Sequence, residues 1–222
     1  MDLLLLLLTM IITLSAQGYI NSTYRKTNEI MSSKNKTGKE IARKILDENG
    51  LKNVKVNMVR GVLSDHYDPR TKTVNLSSDV YSNSSLAAVS VASHECGHAI
   101  QHKENYFFLT FRNSIVPIVN FASSAGYIII MIGLFASIAN LIRLGILFEF
   151  IILFFQIITL PVEFDASRRA LYQLEKLNLV TKDENKKCRG MLRAAAYTYV
   201  ASVASGVLEI LRLIIIANRR DD

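Results

Sequence analysis

Residues 145–169 read GILFEFIILFFQIITLPVEFDASRR. Positions 145–162 are dominated by large apolar side chains, and their length is close to the ~20 residues that cross a hydrocarbon core of ~30 Å. Positions 163–169 then bring Glu163, Asp165, Arg168 and Arg169 in quick succession, so the chain changes solvent near Val162. Working outward, runs of the same kind occupy 3–20 and 114–139, and a fourth, interrupted by Glu209 and Arg212, occupies 194–217. A small domain seldom buries four such stretches in one core, so membrane spans are the expected reading. Half of the 222 residues are hydrophobic and 20% are charged, a mixture that suits a chain divided between lipid and water.

The formal charge of +7 comes from Lys and Arg in the segments between the runs. No basic patch with interleaved aromatics and no nucleic-acid motif accompanies it, so nucleic acid is not an expected partner and membrane lipid is. Arg25 to Lys44 supply one basic segment and Arg168 to Arg193 another, while Arg143 alone marks the connection between the second and third runs. Positive-inside bias therefore puts both long polar segments in the cytoplasm of a multi-pass cell-membrane protein. Arg219 and Arg220 would then lie outside, against the rule, although Asp221 and Asp222 offset their charge. The first run follows Met1 and Asp2 with no positive residue, and Leu14 occupies a position where signal cleavage requires a small side chain, so an uncleaved anchor is expected. Cys96 and Cys188 form no CxxC pair and predict no disulfide framework. The Asn-x-Ser/Thr matches at Asn21, Asn35, Asn75 and Asn83 carry no weight in so Asn- and Ser-rich a chain.

Between the first two runs, Thr37-Gly38-Lys39-Glu40 reads as a capping box, Ile41, Ile45 and Leu46 share a helical face, and Gly50 follows the stop. Val54, Val56, Met58 and Val62 alternate as in a half-buried strand, residues 65–70 have turn chemistry, and 71–76 can form a second strand. Ser84 or Ser85 can cap the next helix, which runs through His94-Glu95-Cys96-Gly97-His98. Imidazoles four apart lie on one face of a helix, about 6 Å apart along the axis, and can converge on one zinc ion. Glu95 then stands beside the metal, where it can take a proton from water. The small and apolar flanks Ala87, Ala88, Val91, Ala92, Ala99 and Ile100 suit a helix packed into an interior.

A catalytic zinc needs a third protein ligand and one open position. His102 would sit ~12 Å along a straight helix from His94, with no Gly to turn the chain, and Cys96 points elsewhere. Glu163 is the better candidate. The chain crosses the membrane twice between His98 and Glu163, an even number, so both emerge on one side. The alternative is that Glu163 and Asp165 are solvated acids favouring a helix start.

Residues 64–74 (SDHYDPRTKTV), His94 to His98 with Ala99-Ile100-Gln101-His102, and 160–171 together make the chain resemble the YugP-type family of membrane zinc metallopeptidases, over nearly its whole length. The resemblance implies a bacterial multi-pass membrane protein holding one Zn2+ and acting on a protein or peptide substrate. More distantly, Glu163-Phe164-Asp165-Ala166-Ser167 is similar to the Glu-Tyr-x-Ala-Asp segment of HtpX and CAAX-prenyl proteases, whose Glu binds zinc. Ser167 stands where those have Asp, and Asp165 is the candidate replacement. The expectation is thus a mainly α membrane protein with three or four transmembrane helices and a small zincin-like α+β catalytic unit. Its parts are an anchor at 1–20, the zincin-like segment at 21–113, a transmembrane hairpin at 114–162, a cytoplasmic helical segment at 163–193, and a hydrophobic helix and tail at 194–222. The expected activity is zinc-dependent peptide hydrolysis with Glu95 as general base, His94, His98 and Glu163 as metal ligands, and His66, Asp165 and Arg168 as candidates for supporting the ligands or contacting substrate. Zincins often bind substrate along an edge strand, and by resemblance 71–76 is the candidate here. Hydrolysis of another amide bond and a membrane adaptor with a non-catalytic metal site are the rival readings. Nothing in the sequence addresses oligomeric state.

Overall fold

The computed structural model describes residues 2–61 and 64–220. Val62, the last residue of the expected strand alternation, and Met1, Asp221 and Asp222, which enter the charge pattern, lie outside the described residues. In chain order the elements are α1 (Asp2–Asn28), α2 (Gly38–Glu48), β1 (Lys55–Val59), β2 (His66–Asp68), β3 (Thr73–Ser77), α3 (Ser78–Ser82), α4 (Leu86–Lys103), α5 (Phe107–Phe135), α6 (Ala139–Lys176) and α7 (Lys182–Asn218). The protein is a mainly α membrane protein with one small sheet, and α1, α5, α6 and α7 are each long and apolar enough to cross a bilayer. The chain separates into two compact units, one of Met1–Gly18, Thr110–Pro161 and Tyr197–Asp222, the other of Tyr19–Leu109 and Val162–Ala196.

The first unit is helical. Ile142, Ile146, Ile210 and Leu213 form its buried cluster, while Leu3, Leu7, Phe121, Phe154 and many other large apolar side chains are exposed, as lipid-facing residues should be. α5 and α6 approach closely through small residues, since a side chain at Gly145 would meet Ile130 Cγ1 at 2.2 Å. The second apolar run ends earlier than its composition suggests. α5 stops at Phe135, and the chain turns through Ser137, which holds a left-handed φ of 56°, before α6 starts at Ala139.

The second unit is built on α4. Ile41, Ile45 and Leu46 of α2 pack with Val89, Ala92, Cys96 and Ala99 of α4 and with Val74 and Leu76 of β3 in one fully buried core. The capping box forms as read, with Thr37 accepting from the Glu40 N–H and Glu40 accepting from the Thr37 N–H at 2.8 Å. Gly50 takes a positive φ just past the end of α2, and Ser85 rather than Ser84 caps α4.

The sheet corrects the sequence reading in three ways. Strand order is β1-β3-β2, with β1 parallel and β2 antiparallel to β3. β3 is therefore the central strand, both of its edges are paired, and residues 71–76 cannot offer a free edge to a peptide. The turn chemistry assigned to 65–70 belongs only to its second half. His66–Asp68 is a strand, and Asp68 starts the turn by accepting from the Arg70 N–H and the Thr71 hydroxyl, with Lys72 at φ 50°. β1 also alternates less cleanly than expected, because Met58 on that outer strand is exposed.

Candidate metal centre

His94 and His98 project from one face of α4, one turn apart, with ring centroids 4.8 Å apart and planes at 84°. Glu163 comes from α6, which continues helical through Pro161 to Lys176. No new helix begins at Glu163, so Glu163 and Asp165 are not dipole-favoured acids of a first turn. The two helices can meet because Gly97 lies at their crossing: a Cβ there would stand 2.5 Å from the Ala166 carbonyl oxygen.

Glu163 Oε2 lies 3.2 Å from His94 Nε2 and 3.6 Å from His98 Nε2. Two ligands each ~2.1 Å from a tetrahedral ion stand ~3.4 Å apart, so this spacing fits a first-row divalent metal. Ligand atoms of all three residues lie within 4.8 Å of one another, and these residues could hold one ion. Their burial differs usefully: Glu163 is 4% exposed, while both histidine side chains keep a partial opening to the outside.

The far sides of the imidazoles are held by side chains. Gln101, fully buried, donates from Nε2 to the Val162 carbonyl at 2.8 Å and to Asp165 Oδ2 at 2.9 Å. Its Oε1 is therefore the acceptor 3.0 Å from His98 Nδ1, which places the proton on Nδ1 and leaves Nε2 free for a metal. Ser167 Oγ lies 3.2 Å from His94 Nδ1. Asp165 reaches the histidines only through Gln101, and its carboxylate is paired with Arg168 and with Arg169, which also binds Glu104 at 2.6 Å. Arg168 is otherwise largely exposed.

Glu95 follows His94 on α4 and is buried. Burial pushes its carboxyl up to about 7, helped by the Glu163 and Asp65 carboxylates and opposed by the His94 ring and the Tyr67 N–H. Asp65 is itself raised by burial, although it accepts from the Ser77 N–H at 2.7 Å and the Ser77 hydroxyl.

The remaining candidates are not among the three converging donors. His66 is exposed, and both ring nitrogens have local partners, Ser64 O at 2.8 Å and Asn75 Nδ2 at 3.1 Å. His102 bonds the Tyr67 hydroxyl at 2.8 Å and lies outside the ligand group, as its distance along α4 predicts. Cys96 packs in the core with its thiol 3.6 Å from the Ala42 carbonyl. Sequence reasoning did not find Gln101 or Asp65. Gln101 lies one turn after His98, which is its only local signal, and Asp65 becomes a neighbour of Glu95 only through the fold.

Two imidazoles and a carboxylate converging on one point, with the buried Glu95 carboxyl beside them, are a donor set that fits a zinc-dependent hydrolase of the membrane. The chain belongs to the zinc metallopeptidase family whose model is described as "Putative neutral zinc metallopeptidase", which matches residues 2–218. It is also similar to the protein of Bacillus subtilis (strain 168) named "Putative membrane protease YugP", with 45% identity over 208 residues, 93% of this chain and 92% of the relative. No solved structure matches it.

Proposed function

We propose that the chain is a membrane zinc endopeptidase in which His94, His98 and Glu163 hold one Zn2+ and Glu95 is the general base. The observation that carries this reading is the convergence of those three ligand atoms within 4.8 Å, next to a buried Glu95. When bound, zinc supplies Lewis acidity that makes water a nucleophile near neutral pH and polarises the scissile carbonyl. Glu95 takes the proton of that water as oxygen adds to the carbonyl carbon, then gives it to the departing amine as the C–N bond breaks. Gln101 and Ser167 keep the imidazoles oriented through their Nδ1 atoms. Asp165, fixed by Arg168 and Arg169, orients Gln101 rather than a histidine.

An extended substrate needs an unpaired strand beside α4. β2 is an outer strand, paired with β3 alone, and the Tyr67 N–H reaches Glu95 of α4. We assign the peptide-binding edge to β2 in place of residues 71–76. The even number of spans between His98 and Glu163, with the basic segments flanking them, supports a site on the cytoplasmic side.

Glu95→Gln tests the chemistry. The purified variant in detergent should keep about one equivalent of zinc by elemental analysis and lose peptide cleavage by about 10²-fold or more, as chelation of the parent should. Retained cleavage would remove Glu95 from the role, and a parent without stoichiometric metal would remove the whole centre.

A further inference from the structure

The helical unit has a partly open cavity of about 450 Å³ between α1, α6 and α7, a size typical of ligand sites. These helices carry mean hydropathies of 2.0 to 2.3 in their most apolar windows, yet polar side chains interrupt a largely apolar wall. Thr9 and Thr13 come from α1, Gln156 from α6, and Ser202, Ser205 and Glu209 from α7. A buried polar atom left without a partner at bilayer depth is costly, and it is retained where a ligand can satisfy it.

One acceptor in the wall is left without a donor among the described residues. Thr9 and Ser202 spend their hydroxyl protons on carbonyls of their own helices, Leu5 O at 2.9 Å and Thr198 O at 3.0 Å, and so turn lone pairs to the cavity. Thr13 and Ser205 share one hydrogen bond at 3.2 Å. Gln156 Oε1 is buried and has no donor among the described residues. Gly206 leaves it space, since a Cβ there would stand 2.9 Å from that oxygen. Among the described residues no Lys, Arg or His lines the cavity, and Arg212 neutralises Glu209 through a bond of 2.8 Å. The guest that fits is uncharged and offers an N–H donor to Gln156 Oε1.

Within a bilayer, uncharged N–H groups without partners belong to peptide backbone that has left a helix, and such backbone persists only where protein supplies its bonds. We propose that this cavity receives an unwound stretch of a membrane-spanning peptide, with Gln156 Oε1 accepting one of its backbone N–H groups. The proposal rests on the peptidase reading above and names its substrate class: membrane proteins whose spanning helix is interrupted by helix-breaking residues.

Binding is measured with the full chain carrying Glu95→Gln in lipid nanodiscs. The probes are two fluorescent spanning peptides of equal length, one a continuous Leu/Ala helix and one with Gly-Pro at its centre. The Gly-Pro peptide should bind about tenfold tighter, and Gln156→Leu together with Thr13→Val should abolish that preference. Gly206→Ala, which fills the space beside Gln156, should act in the same direction if the double variant folds poorly. In the Glu95 parent, the cavity variants should still cleave a soluble peptide at the unmodified rate. Equal binding of the two probes, or a preference that survives these substitutions, overturns the proposal. Failure of the peptidase reading would appear separately, as absent cleavage of the soluble peptide by the parent.

Discussion

Gln101 shows how much of the centre depends on one uncharged side chain. Its amide faces are fixed in opposite senses, Nε2 toward the Val162 carbonyl and Asp165, Oε1 toward His98 Nδ1. That orientation selects the His98 tautomer with Nε2 available, and it couples the helix of the two histidines to the helix of Glu163. Gln101→Met keeps the volume but leaves the His98 Nδ1–H and the Asp165 carboxylate each short of a partner. Zinc affinity, read by competition with a fluorescent chelator, should fall about 10–100-fold, with the loss appearing in binding before it appears in the rate at saturating zinc. Unchanged affinity would reduce Gln101 to core filling. His94, Glu95 and His98 were legible as candidates because two His and a Glu at this helical spacing seldom occur together except around a metal, and Glu163 because an even number of apolar runs separates it from them. Gln101 was not, because a carboxamide carries no charge and its partner Asp165 lies 64 residues further on.

At the scale of elements, the centre requires α4 and α6 to approach closely enough for Glu163 Oε2 to face both Nε2 atoms. Gly97 provides that approach. Gly97→Ala would put a methyl 2.5 Å from the Ala166 carbonyl, a backbone atom that cannot swing aside as a side chain could. Overpacking of this kind costs about 1–3 kcal/mol. The melting temperature should drop, and zinc content after dialysis should fall well below one equivalent, while Cys96→Ala, on another face of α4, leaves the metal bound. A Gly97→Ala protein with full zinc content would show that the helices can separate without cost to the site. The helices were readable from their caps and apolar runs. The sheet was less so, since β2 has three residues bounded by Asp65 and Pro69 and presents a turn signature to any local reading. That error also moved the candidate peptide edge onto β3, because strand order is set by pairing and not by local sequence.

Across the whole molecule, the candidate metal centre draws its donors from α4 and from the later part of α6, with α5 and the apolar first part of α6 between them. Glu163 can serve His94 and His98 only if the chain crosses the lipid an even number of times between them. The same requirement fixes which tethers share a compartment: Lys34, before α4, must lie on the side of Lys182, after α6, while Ser137 at the turn between α5 and α6 must lie on the other. All three side chains are exposed, and Cys96 and Cys188 are buried, so single cysteines introduced at these positions can be labelled over a low background. With a membrane-impermeant maleimide added to intact cells, Ser137→Cys should react at once, and Lys34→Cys and Lys182→Cys only after the membrane is opened. The reverse pattern would keep the metal centre and move it to the outer face, against the distribution of Lys and Arg. Labelling of Lys34→Cys and Lys182→Cys from opposite sides would break the parity on which a shared ion depends, and Glu163 could not then be the third ligand.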